Sequence, residues 1–278
     1  MLQKINRKLA LEPTVGGVGS QAMILYTNVS AYSKLTYSAE DGAGFVKSLL
    51  SGFKSAFPKK TNFKDFKNSD SKLLETLFKK LQKKDLANVS QHPVSIQDGL
   101  QVNLKTWIVT LDECYTSLSS ELTEALSGLV SLFAVLNNDP DKIKSLSNYG
   151  KVKQTTLDAT NEKFQSMFGS SARSNRSTIG DMISSVSELD ELRTYYSQLT
   201  EKRSQLDTTK VSKDIERINE LADQFMEQYA LRLAGNRRAV SDLSLHVHAV
   251  AEAISLLSLL DYSYQALDNA LTEMNKKV

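Results

Sequence analysis

The sequence predicts an all-α protein: a long-helix bundle with antiparallel, coiled-coil-like C-terminal helices and a less regular N-terminal third. Three observations lead there. From Asp141 to Val278 there is no proline, and the only strong breakers are Gly150, Gly169, Gly180 and Gly235. A proline in a helix interior costs about 3 kcal/mol and a glycine about 1, so this half of the chain is written to stay helical. Apolar residues recur there at steps of three and four, the period of one buried helix face. By contrast, Pro13, Gly16-Gly17-Val18-Gly19, Asp41-Gly42-Ala43-Gly44, Pro58 and Pro93 crowd the first hundred residues. The expected organisation is an N-terminal arm or linker over 1–44, a basic, partly helical segment over 45–99, and the long-helix bundle over 100–278.

Bulk composition narrows the class. Of 278 residues, 41% are hydrophobic and 24% charged, which is the balance of a folded chain rather than a disordered one. The net charge of +2 creates no global field toward nucleic acid or membrane. The single cysteine, Cys114, excludes an internal disulfide framework and a cysteine-rich metal site and fits a reducing compartment. The most apolar run, Leu126 to Leu136, is 11 residues long and interrupted by Ser127 and Ser131. A membrane span needs roughly 20, so none is expected. Met1 to Glu12, with Lys4, Arg7 and Lys8 among scattered apolar residues, does not read as a secretory signal. Synthesis in the cytoplasm is the expectation.

The elements follow in order. Met1 to Glu12 alternates basic and apolar residues and suits a short amphipathic helix stopped by Pro13. Gln21 to Leu35 is apolar without a settled period. From Phe45 to Leu86 the chain turns basic. Ser71 is the expected N-cap of a helix that places Leu73, Leu74, Leu77, Phe78 and Leu81 on one face. Asn88 to Gly99, around Pro93, reads as a loop. Leu104, Ile108, Leu111, Tyr115, Leu118, Leu122, Ala125, Leu129, Leu132 and Leu136 then form the stripe of one helix about 50 Å long, ended by Asn137-Asn138-Asp139-Pro140. A second helix is expected from Pro140, broken at Tyr149-Gly150 and resuming through Leu157 and Phe164 to Gly169. Gly169 to Ser177 is small, polar and basic, the pattern of a mobile loop. Ile179 to Leu206 carries one further stripe. Val211 to Tyr229 carries another after the turn Asp207-Thr208-Thr209, closed by Gly235-Asn236 as a C-cap. Spacing near 3.5 in these two arms suits a helical hairpin or coiled coil. Val240 to Met274 forms a last helix of roughly ten turns.

Signatures of enzyme chemistry are not seen. His246 and His248 stand two apart on a helix, whereas zinc ligands there need three or four. His92 precedes Pro93 with no visible partner. Cys114 sits mid-helix and reads as a small apolar core residue. Gly16-Gly17-Val18-Gly19 lacks the lysine and the strand–helix context of a phosphate cradle. The adjacent pairs Asp112–Glu113 and Asp190–Glu191 read as solvated helix surface. No catalytic residue, metal site, cofactor or small-molecule substrate is expected.

The basic segment is the main local feature. Between residues 47 and 84, eleven lysines face only Asp65, Asp70 and Glu75, a local net of +8. Lys47, Lys54, Lys59, Lys60, Lys64, Lys67, Lys79, Lys80, Lys83 and Lys84 are candidate polyanion contacts, with Lys72 among them in sequence. Phenylalanines 45, 53, 57, 63, 66 and 78 are interleaved. A solvated basic face, contact with nucleic acid or another polyanion, and an interfacial membrane helix all fit this pattern. The absence of arginine argues against base readout.

The opening Lys4-Ile5-Asn6-Arg7-Lys8-Leu9-Ala10-Leu11-Glu12 resembles the start of virion and inner-head proteins of giant tailed phages. The resemblance covers about a dozen residues. In that group a head-maturation protease cuts after a small residue, any residue, then glutamate. Ala10-Leu11-Glu12 and Ser38-Ala39-Glu40 match this pattern, making Glu12 and Glu40 candidate cleavage points and 1–12 or 1–40 a candidate propeptide. Ser119-Ser120-Glu121 matches as well but falls mid-helix, where it is expected to be protected. The resemblance implies a non-enzymatic structural component of a phage particle. It would contact other virion proteins or itself, and packaged DNA through the lysine-rich segment. The rival expectation is a cytoplasmic helical module that binds a partner protein or an anionic membrane surface.

Overall fold

The structure, a computed structural model, describes residues 72–95, 103–142, 151–167, 176–233 and 237–278. These residues are helical apart from short connections and two three-residue strands. The all-α class holds. In chain order the elements are α1 (Leu73–Leu81), α2 (Leu86–Val89), β1 (Pro93–Ser95), α3 (Leu104–Asn138), α4 (Gln154–Met167), β2 (Arg176–Thr178), α5 (Ile179–Met182), α6 (Val186–Gln205), α7 (Thr208–Leu233) and α8 (Arg237–Lys277).

The described residues fall into two compact units. One holds 122–142, 151–152, 212–233 and 237–259; the other holds 72–95, 103–121, 153–167, 176–211 and 260–278. The helices α3, α7 and α8 contribute residues to both. A linear reading into 1–44, 45–99 and 100–278 has no means to express such a partition.

In the first unit the core is aliphatic with an aromatic centre. Leu122, Ala125, Leu129, Leu132 and Leu136 of α3 are buried, as the stripe predicts, together with Leu126 beside them and Ile218, Ala222 and Phe225 of α7. Phe133 meets Phe225 edge to face, with ring centroids 6.2 Å apart and planes at 68°, the arrangement that ring quadrupoles favour. The end of α3 is tied by the Asn137 side-chain amide, which donates to the Leu221 carbonyl at 2.8 Å. Tyr229 in turn donates its hydroxyl to the Asn137 carbonyl at 3.2 Å.

In the second unit α6 and α8 run antiparallel. Each step along α6 is matched by an equal step back along α8: Tyr196 meets Asp268, Thr200 meets Tyr264, and Arg203 meets Asp261. Alongside, α3 joins α8 through Trp107, whose indole N–H donates to the Ser263 hydroxyl at 2.9 Å. α1 packs on α6, burying Leu74, Leu77, Phe78 and Leu81. Glu121 of α3 caps the start of α4: its carboxylate accepts from the Lys153 main-chain N–H and the Thr156 hydroxyl, both at 3.0 Å. That contact satisfies donors that a helix N-terminus leaves open. It also fixes the mid-helix place of Ser119-Ser120-Glu121.

Several expectations are corrected. The N-cap position of α1 is Lys72, without a side-chain cap, not Ser71, which lies outside the described residues. Asn88 to Gly99 is not simply a loop. Asp85 caps α2 through the Ala87 N–H, and Pro93–Ser95 pairs antiparallel with Arg176–Thr178. Pro93 opens its strand, where its missing N–H is tolerated. The mobile-loop expectation for 169–177 therefore fails at Arg176 and Ser177; 169–175 lie outside the described residues. The stripe over 179–206 is two helices. Thr178 and Asp181 form a reciprocal capping box on α5, and Ser185 caps α6 through the Glu188 N–H. A stripe reports which side is buried, and a break that preserves phase is invisible to it. Gly180 sits where α5 touches Ser90: its N–H donates to the Ser90 carbonyl at 2.9 Å, and a Cβ there would lie 3.1 Å from the Ser90 Cβ.

Among the described residues, one helix, α3, is long and apolar enough to cross a membrane by length and composition, which the 11-residue run did not suggest. Its leucines from 104 to 136 are buried within the protein, and Asp112, Glu113, Glu121 and Glu124 interrupt its other faces. It is a core helix. The closing turn at Gly235-Asn236 lies outside the described residues.

Replacing Phe225 by alanine removes a fully buried ring and its contact with Phe133. A loss of about 3–5 kcal/mol in unfolding free energy is expected, measured by urea denaturation. A loss below about 1 kcal/mol would contradict the packing described.

Candidate functional site

Two places in the second unit concentrate polar chemistry. The first is a charged centre between α6 and α8. Arg203 is 2% exposed and Asp261 5%. The Arg203 Nε and Nη2 donate to the same Asp261 oxygen at 2.9 and 2.6 Å. The other Asp261 oxygen accepts from the Gln265 amide at 2.7 Å. The guanidinium also lies 4.3 Å from the centre of the Tyr264 ring, a cation–π contact, and the Tyr115 hydroxyl faces it from α3. Tyr264 stacks on Tyr196 with ring centroids 6.3 Å apart, and the Tyr196 hydroxyl donates to Asp268 at 2.7 Å.

Burial pushes the Asp261 carboxyl above its ordinary range against the opposing pull of Arg203. Burial likewise raises Tyr115 and Tyr196, so both stay neutral. The Cys114 thiol is pushed up to about 11, again by burial, which leaves it protonated and unreactive near neutral pH. The bonds Arg203–Asp261, Thr200–Tyr264 and Tyr196–Asp268 hold α6 and α8 in register, while the buried Tyr115 hydroxyl meets no hydrogen-bond partner within 3.5 Å among the described residues. The stripe over Ile179 to Leu206 passes through Arg203, but nothing in the sequence shows that Asp261, 58 residues on, stands opposite it. The only signal was its place on the stripe Leu192, Tyr196, Leu199, Arg203, Leu206.

The second place is where the described end of the basic segment meets the last turn of α8. Lys80 donates its ammonium to the Asn275 carbonyl, and Lys84 donates to the main-chain oxygen of Val278. Asn275 returns a side-chain N–H to the Leu73 carbonyl at 2.9 Å. Lysines here complement the partial negative charge of a helix C-terminus and supply donors for its open carbonyls. Lys79 pairs with Glu75 at 2.9 Å, and Arg193 reaches Glu75 while lying 4.3 Å over the Phe78 ring. From α8 itself, Lys277 bonds Glu273 at 2.6 Å and the Pro93 carbonyl, while Glu273 accepts from the Ser95 N–H at 2.8 Å. Lys83 and Lys276 are exposed.

Of the candidate polyanion contacts, the structure therefore places Lys79, Lys80, Lys83 and Lys84 together. It adds Lys276 and Lys277, which no linear reading could join to them. Lys47, Lys54, Lys59, Lys60, Lys64 and Lys67 lie outside the described residues, as do the candidate cleavage points Glu12 and Glu40. Asp112 is not plain solvated surface: it is half-buried and accepts both its bonds from Lys202 at 2.8 Å. His246 is buried, and the His248 side chain lies outside the described set. Among the described residues, no group of three histidine, cysteine, aspartate or glutamate side chains is placed to hold a metal ion.

Compared with known proteins, the chain matches no family model, no curated protein and no solved structure.

Two outcomes test these sites. Asp261→Asn strands a buried guanidinium and is expected to cost about 3–5 kcal/mol of stability, whereas Arg203→Met with Asp261→Leu regains most of it. Urea unfolding of the three proteins checks this, and a neutral single variant would refute the pairing. The second concerns acid. Hydrogen bonds from Lys79 and then Arg193 hold Glu75 below its ordinary 4.5. Glu121 and Glu273 are lowered too, burial being outweighed by Lys153 and Thr156 in one case and by Lys277 and Ser95 in the other. The Thr178 N–H lowers Asp181 from 3.8. Groups with depressed folded values contribute fully above their ordinary pKa and lose that contribution as pH falls through the folded one. The melting temperature is expected to hold from about pH 7 to about pH 5 and to fall below about pH 4.5. A flat profile down to about pH 3 would show these bonds to be absent in solution.

Proposed function

We propose that this chain is a non-enzymatic structural component of a phage particle. In this reading it is a helical scaffold that contacts other virion proteins or further copies of itself, and its lysine-rich segment faces packaged DNA or an acidic partner. The observation that supports the structural part is the Arg203–Asp261 centre: its charges are sealed from solvent and engaged with each other and their neighbours, as suits an element that fixes shape. Assignment to a particle rests on the opening residues 4–12 and on the two small-residue, any-residue, glutamate sites ending at Glu12 and Glu40. The virion is then its place of residence after synthesis in the host cytoplasm.

The protein is expected to co-sediment with purified particles, and its N-terminus there, read by intact mass and peptide mapping, is expected at residue 13 or 41. Recovery only in the soluble host fraction would refute the particle assignment. A start at Met1 in particles would remove the processing argument and leave an unprocessed virion component. Cleavage after Glu121 is not expected, because α3 is continuous through it.

A further inference from the structure

We infer that the lysines gathered around the end of α8 form a composite surface for the phosphate backbone of double-stranded DNA, built jointly by 79–84 and 276–277. This deepens the DNA-facing part of the function proposed above and rests on it. The argument starts from charge. Among the described residues, six lysines, Lys79, Lys80, Lys83, Lys84, Lys276 and Lys277, and Arg193 gather at this point of the fold against four carboxylates, Glu75, Asp85, Asp190 and Glu273, a side-chain net of +3 (seven minus four). Each carboxylate is already engaged. Glu75 is held by Lys79 and Arg193, Asp190 by Arg193, Glu273 by Lys277 and the Ser95 N–H, and Asp85 by the Ala87 N–H that it caps. Lys80 and Lys84 cover the carbonyls at the end of α8, so the partial negative charge that would repel a phosphate is offset from within. Lys83 adjoins Lys84 in the chain, and Lys276 adjoins Asn275 and Lys277, so the backbone contacts of Lys80 and Lys84 with the end of α8 bring both to this end of the fold. Both are exposed, and their side chains make no hydrogen bond or ion pair among the described residues.

The occupant follows from what surrounds them. Between residues 72 and 85 the exposed side chains are Lys72, Thr76, Lys79, Gln82, Lys83, Lys84 and Asp85, with Lys276 exposed on α8. No apolar side chain is exposed there, whereas a protein partner would seek an apolar patch to bury. Single-stranded nucleic acid needs aromatic platforms, but the ring at this place, Phe78, is 8% exposed and covered by Arg193. Lysine ammonium groups on a polar surface instead suit the dense, regular charge of a duplex backbone, about one negative charge per 1.7 Å of axis. Contacts from lysine ammonium groups to phosphate oxygens carry no sequence information, so binding through this surface is independent of sequence.

The test uses the full chain and random-sequence duplex DNA, with binding read by fluorescence anisotropy over a salt series. Lys83→Gln and Lys276→Gln each weaken binding, and the double variant lowers the slope of log affinity against log salt by about 2, near 0.9 for each phosphate no longer neutralised. Urea unfolding of both variants stays at the parent value, since neither side chain holds the fold. Lys47→Gln with Lys54→Gln serves as the comparison. If the double variant at 83 and 276 binds as the parent does while the change at 47 and 54 abolishes binding, the composite surface is overturned and the DNA-facing reading stands. An effect of Lys83→Gln without one of Lys276→Gln overturns the joint construction. If the parent chain binds no duplex even at low salt, both fail. Displacement by polyglutamate of matched charge as readily as by DNA would give the surface to acidic proteins and overturn the DNA assignment.

Discussion

The pairing of α6 with α8 through Arg203 and Asp261 is the constraint on which the second unit depends. Two long amphipathic helices can slide past each other by a turn at modest cost, because one leucine resembles the next. A buried guanidinium cannot, since leaving its carboxylate by one turn would strand a charge in a medium that solvates it poorly. With Arg203 opposite Asp261, the contacts Thr200–Tyr264 and Tyr196–Asp268 fall into place. Trp107 on α3 then finds Ser263. One ionic contact therefore sets the register of three helices, and the apolar residues fill the space that this register defines.

Helix ends follow a second logic. Every helix exposes open donors at its start and open acceptors at its finish, and here distant side chains answer many of them. Glu121 serves the start of α4, Asn137 ties the end of α3 to α7, and Lys80 and Lys84 serve the end of α8. Local caps do the same work at α5 and α6 through Thr178 and Ser185. Because the distant caps join residues far apart in sequence, they are also tertiary bonds, and α1 is held to the last turn of α8 by them. The lysine surface is a by-product of this arrangement. Lysines brought in to satisfy carbonyls carry their neighbours Lys83 and Lys276 to one place.

The proposed role joins these two features without asking either for catalysis. A scaffold needs fixed register and a surface suited to its surroundings. The sealed centre supplies the first and the uncommitted lysines supply the second. The thiol of Cys114 and the hydroxyls of Tyr115 and Tyr196 are held in their neutral forms by burial.

The sequence by itself determined the class of fold and the buried faces. The absence of proline beyond Pro140 and a three-to-four spacing of leucines suffice for that, because both act within a single helix. Thus the stripe from Leu104 to Leu136 coincides with the buried side of α3, and Leu74, Leu77, Phe78 and Leu81 are buried as their spacing requires. Tertiary structure decided what depends on residues meeting across the chain. The strand pair of Pro93–Ser95 with Arg176–Thr178 joins two stretches that each look like loop alone. Arg203 became a core residue only because Asp261 stands opposite it. Lys276 and Lys277 joined Lys79 to Lys84 only because α8 ends against α1. Periodicity records how one helix faces the rest of the protein; which partner it faces is fixed by pairing energies between side chains that sequence order keeps far apart.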